Sequence, residues 1–120
     1  MPGPSPEFLA SLPPDHPLRR RFGGEFVETP EMVQERLINA VQQNLDQEAR
    51  ALGYDSIFTA VTYADDVNPK FAAEGAALKT WRSAVWTHCY QVLADVQGAL
   101  RTVPTAEELI AELPALTITY

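Results

Sequence analysis

Apolar residues recur with a helical period along most of this chain, and four segments are predicted from that spacing. Val33, Leu37, Val41 and Leu45 repeat every four residues, with Ile38, Ala49 and Leu52 widening the stripe. Gln34, Glu35, Asn39, Gln42, Asp46 and Arg50 take the opposite face, so an amphipathic helix is expected to about Leu52. Thr29-Pro30-Glu31 opens it: a capping hydroxyl, a proline where the missing N–H costs nothing, and an acid at the positive dipole end. Gly53 supplies the left-handed residue that ends many helices.

A shorter helix follows Tyr54-Asp55-Ser56, with Asp55 or Ser56 as cap and Ile57, Phe58, Ala60, Val61 and Ala64 as apolar contacts, ending at Asp65-Asp66. Asn68-Pro69 repeats the cap-then-proline signal and begins the longest helix, to about Gly98. Phe71, Leu78, Val85 and Val92 recur every seven residues along it, with Gly75, Trp81, Cys89 and Val96 between them, as a core-facing stripe. The capping box Thr105-Ala106-Glu107-Glu108 opens a last helix, whose Leu109, Ile110 and Leu113 can pack inward before Pro114. Leu116, Thr117, Ile118, Thr119 and Tyr120 alternate, which permits a short C-terminal strand if something pairs with it.

The first 28 residues lack this periodicity. Seven of the ten prolines fall within the first thirty positions, so an extended or polyproline-like arm is expected. Its separated apolar residues, among them Phe8, Leu12, Phe22 and Phe26, exceed what a solvated linker needs and can dock on the body or on a partner. The expected organisation is an arm over 1–28, a helical domain over 29–114 and a tail over 115–120. The expected fold is all-α, a small bundle with two long helices in a hairpin plus two short ones.

Composition narrows the function. A net charge of −7 argues against a nucleic-acid surface, since phosphate affinity comes largely from Lys and Arg. Arg19-Arg20-Arg21 does not make the arm basic, because its three cations meet four acids within residues 1–28. Cys89, the single cysteine, excludes an intramolecular disulfide and suits a reducing cytoplasm. No run reaches the ~20 apolar residues of a membrane span.

Catalytic constellations are weak. His88 and Cys89 are adjacent and diverge by about 100° on a helix, which is poor geometry for a nucleophile and its base; Cys89 falls on the buried stripe and is expected to be inert. His16 has no visible co-ligands for zinc, and Asp65-Asp66 with Asn68 lacks the glycine and distal glutamate of a calcium loop. No cofactor or metal is expected. The aromatic residues are more informative. Trp81 and Trp86 lie about 140° apart in helical phase and cannot share one narrow core face. Trp86, Tyr90 and Leu93 form a second stripe, preceded by Arg82. Such a two-sided helix is either sandwiched within its own domain or used at an interface, where Trp, Tyr and Arg are enriched.

Several of these motifs share a further likeness. Gly53-Tyr54-Asp55-Ser56-Ile57, Tyr63-Ala64, Asn68-Pro69-Lys70-Phe71, Glu74-Gly75, and Trp81-Arg82-Ser83-Ala84-Val85-Trp86 with Cys89-Tyr90 resemble a domain of small proteins from tailed bacteriophages and prophages. That domain, of unassigned function, is often encoded beside tail-fibre genes or fused to tail and fibre-assembly proteins. Residues 104–114 are similar to its usual ending, and the likeness covers about residues 36–114. It implies a phage tail or tail-fibre component, or an assembly factor. Such a protein would be non-enzymatic and would work in the host cytoplasm during assembly or in the virion tail. Its partners would be other tail or fibre proteins, or a second copy of the chain. A phage-encoded regulator that inhibits a host protein is the alternative, and a peptidoglycan hydrolase a third. The expected partner surface is the arm residues Phe8, Leu12, Phe22 and Phe26 together with Arg82, Trp86 and Tyr90.

Overall fold

The computed structural model describes residues 28–120, and the arm residues Phe8, Leu12, Phe22 and Phe26 lie outside that range. The described residues are all-α. Two long helices, α1 (Pro30–Ala51) and α3 (Pro69–Gln97), accompany two short ones, α2 (Ile57–Val61) and α4 (Ala106–Glu112). Residues 39–120 belong to one compact unit that includes the C-terminal segment, and the unit boundary falls within α1 at Ile38.

Local chemistry sets the helix ends. Thr29 Oγ1 accepts from the Met32 N–H at 3.2 Å, Ser56 Oγ from Thr59 at 3.2 Å, and Asn68 Oδ1 from Lys70 at 2.9 Å and Phe71 at 3.3 Å. Thr105 and Glu108 complete the reciprocal capping box of α4. At the end of α1, the Gly53 N–H donates to the Arg50 carbonyl (2.9 Å) and Tyr54 to Ala49 (3.1 Å), with Gly53 at φ +100°. This is the paired terminal turn for which glycine is suited. The same turn closes α3, where Ala99 donates to Val96 at 3.1 Å and Leu100 to Asp95 at 2.8 Å. There the left-handed residue is Ala99, at φ +57°, one position after Gly98.

The core is Val41, Leu45 and Ala49 of α1, Ile57 and Ala60 of α2, Leu78, Trp81, Val85 and Val92 of α3, and Leu109 of α4. The stripe of α1 is thus buried only from Val41 onward; Val33 and Leu37 are half-buried and Ile38 is exposed. Phe71, expected in the core stripe, is exposed at the start of α3 and meets the Tyr63 ring edge-on at 5.8 Å. The α2 helix is shorter than its sequence suggests. After Val61 the chain tightens into i→i+3 turns, while the Thr62 hydroxyl donates to the Thr59 carbonyl at 2.6 Å. Asp46 of α1 holds the start of α2, its Oδ1 accepting from the Ile57 N–H at 3.0 Å.

At Gly75, α3 comes close against the backbone of α2 and of the turn that follows it. A Cβ there would lie 2.6 Å from Ala64 N, 2.7 Å from Tyr63 C and 2.8 Å from Ala60 O. The absence of a side chain is what lets the helix press on the backbone that follows α2.

No strand occurs among the described residues, so the alternating C-terminal segment is not a β-strand. Its alternation does appear in burial: Leu116 and Ile118 are half-buried, whereas Thr117 and Thr119 are exposed. Side chains fasten it in place of a ladder. The Trp81 indole N–H donates to the Pro114 carbonyl at 2.7 Å, and the Tyr120 hydroxyl to Glu74 at 2.8 Å.

Candidate functional site

Lys79, Arg82, Ser83, Trp86, Thr87 and Tyr90 each have another of the set three or four residues away, which places them on one face of α3. With Val61 and Thr62 from the end of α2 they line an open groove. The helix must be two-sided because its partners cover one side only. Trp81, on the sealed side, is 7% exposed, while Trp86 is half-buried and Tyr90 is 73% exposed. Arg82, Trp86 and Tyr90, expected together from spacing, therefore do share one surface. Phe58, one turn before Val61 and Thr62 on α2, is 71% exposed and adds apolar surface to that helix. An adjoining hollow shares Lys79, Ser83 and Thr87 and is lined also by Asp65 and His88.

Sequence spacing missed Lys79, Ser83 and Thr87, although the i−3, i−4 and i−7 steps back from Trp86 and Tyr90 pass through them. Val61 and Thr62 carry no such signal, since only the crossing at Gly75 brings α2 alongside.

Two further polar clusters lie elsewhere in the same unit. Glu74 is 3% exposed and each of its oxygens accepts a tyrosine hydroxyl, from Tyr54 at 3.1 Å and Tyr120 at 2.8 Å. Burial first, and then the neighbouring carboxylate of Glu74, push the Tyr54 hydroxyl up to about 12. The Tyr120 hydroxyl is raised chiefly by its bond to Glu74. In the second cluster Glu112 of α4 receives Arg101 through two bonds, 2.8 and 3.1 Å, and meets His88 Nε2 of α3 at 2.8 Å. The Arg101 bonds, foremost, hold the Glu112 carboxyl below its ordinary range.

His88 is thus tied to α4 and makes no pair with Cys89. Cys89 is half-buried, where a sealed thiol was expected. Burial and then the Glu112 charge push its thiol up, which keeps it protonated and weakly nucleophilic at neutral pH. Among the described residues no helix is long and apolar enough to cross a membrane, and no three His, Cys, Asp or Glu side chains group as metal ligands. Chemically the groove offers two cations, three hydroxyls besides that of Tyr90, and two aromatic rings, a set suited to holding a polypeptide. Neither the known protein-family models, nor the curated proteins, nor the solved structures compared with this chain give a match.

Proposed function

We propose that this protein acts by non-enzymatic protein–protein binding, gripping a partner in the groove between α2 and α3. One observation carries it: Arg82, a half-buried Trp86 and an exposed Tyr90 line an open groove on a helix whose opposite face is taken up by the protein's own core. Tryptophan, tyrosine and arginine dominate the energetics where proteins meet, because each combines large contact area with a polar tip.

The likeness of its motifs to the tail-associated bacteriophage domain supplies the setting. The partners proposed are other phage tail or tail-fibre proteins, met in the host cytoplasm during assembly, and the protein either stays in the virion tail or leaves before maturation. The test is affinity purification of the tagged chain from phage-producing cells, with mass spectrometry of what it retains and of purified particles. Tail or fibre proteins should co-purify with the parent chain and be lost with a Trp86→Ala/Tyr90→Ala double variant that remains folded by circular dichroism. Capture of no particle protein, or capture that survives the double substitution, contradicts the proposal.

A further inference from the structure

Charge on this molecule is distributed unevenly, and the groove is where the distribution reverses. The chain carries 16 acidic and nine basic residues. Among the described residues, Arg36 is paired with Glu28 and Arg101 with Glu112, and Arg50 donates to the Asp55 carbonyl. Lys70, Lys79 and Arg82 enter no ion pair among those residues, and of these Lys79 and Arg82 stand one turn apart on the groove face of α3. No residue lining the groove is acidic. Among the described residues, a protein with a surplus of carboxylates thus leaves two cations without an ion pair beside Trp86 and the exposed Tyr90.

We infer that the groove receives a short acidic segment of a partner protein, with carboxylates placed on Lys79 and Arg82 and an apolar side chain against Trp86. This rests on the protein-binding role proposed above and adds the chemistry of the occupant. From Lys79 to Tyr90 the stripe runs about 16 Å at the helical rise, which an extended segment of about five residues spans. A strand-like occupant directs alternate side chains to one face, so its acidic and apolar residues reach the groove together when they stand two positions apart. Arg82 can accept a carboxylate in its planar fork while its aliphatic stem lies on apolar surface. Nucleic acid would answer to the same two cations, but two cations in a chain of net charge −7 are too few to hold a phosphate backbone.

The test uses the isotope-labelled full chain and three synthetic hexapeptides with leucine at position 5, glutamate, glutamine or lysine at positions 1 and 3, and alanine elsewhere, so that the three side chains share one face of an extended peptide, followed by NMR titration. The glutamate peptide should move the Trp86 indole resonance and the backbone signals of residues 79–90. The glutamine peptide should bind about tenfold more weakly, in line with the loss of two exposed ion pairs, and the lysine peptide more weakly still. A Lys79→Glu/Arg82→Glu variant should reverse that order while keeping the parent melting temperature. Equal binding of the glutamate and glutamine peptides overturns the inference and leaves the protein-binding role standing. An unreversed order in the variant also overturns it. Silence toward all three peptides overturns it too, and brings down the protein-binding role only if particle proteins are still captured by the Trp86→Ala/Tyr90→Ala variant. Concentration-dependent dimerisation that shifts the same signals in the free chain would assign the groove to a second copy and refute the inference.

Discussion

The two faces of α3 each carry a tryptophan and differ in what covers them. On one face Gly75, Leu78, Trp81 and Val85 are buried, and the Trp81 indole spends its N–H on the Pro114 carbonyl. On the other, Lys79, Ser83, Trp86 and Tyr90 face an open groove. Both faces carry a tryptophan, so the presence of one does not by itself decide burial, although Lys79, Arg82, Ser83 and Thr87 make the second face the more polar. What separates them is the supply of neighbours: α2 crosses at Gly75 and the C-terminal segment is pinned at Trp81, and nothing in the same unit reaches across Trp86 and Tyr90 to close the groove. A helix with aromatic residues on more than one side, in a unit that covers only one of them, keeps open surface at Trp86 and Tyr90.

The difference is most exposed by placing an alanine on each face. Gly75→Ala should destabilise by about 2 kcal/mol or more, because the overpacking penalty against backbone atoms exceeds the ~1 kcal/mol that alanine gains in helix propensity. Ser83→Ala on the groove face should stay within about 0.5 kcal/mol of the parent. Urea denaturation of the two variants checks both. A tolerated Gly75→Ala would mean that α2 and α3 are not in close contact, and the contrast would fail.

A smaller effect belongs to the buried acid. Tyr54→Phe removes one of the two donors to Glu74 and should cost on the order of 1–3 kcal/mol, the penalty of a buried acceptor left short of a partner. The pH dependence has a definite sign. The folded Tyr54 hydroxyl titrates near 12 against an ordinary 10.0, so its contribution is complete below pH 10 and is lost as pH rises toward 12. The parent should lose stability across that window more steeply than Tyr54→Phe, as read by denaturation at stepped alkaline pH. Parallel profiles would contradict the Tyr54–Glu74 bond.

The smallest change lies outside both faces and should raise stability. Ala99 holds a left-handed conformation that costs a residue with a Cβ ~1 kcal/mol. Ala99→Gly should therefore stabilise by about 0.5 kcal/mol, after the extra chain entropy of glycine, and leave groove binding unchanged. A lower melting temperature would show that the turn after α3 is not left-handed.

Much of this was legible before any coordinates. The caps at Thr29-Pro30, Asn68-Pro69 and Thr105 to Glu108, and the stop at Gly53, are local chemistry, so spacing alone locates them. The opposition of Trp81 and Trp86 is also local, a matter of helical phase. The rest depends on residues distant in sequence. Tyr54, Glu74 and Tyr120 meet only after the chain has folded back on itself, as do His88, Arg101 and Glu112. Alternation marks half-burial correctly at Leu116 and Ile118, though not at the exposed Tyr120, and says nothing of a ladder partner, and none exists among the described residues. Gly98 looked like the natural end of α3, yet the left-handed position falls on Ala99 because the last hydrogen-bonded turn includes Gly98.

The most direct test of the contrast is acrylamide quenching of single-tryptophan variants of the full chain. Trp81→Phe leaves Trp86 as the reporter, and Trp86→Phe leaves Trp81. Trp86 should be quenched several-fold more strongly, and addition of a groove ligand should protect it while leaving Trp81 unaffected. Equal, weak quenching of both would mean that α3 is sealed on every side and that the protein has no groove with which to hold a partner.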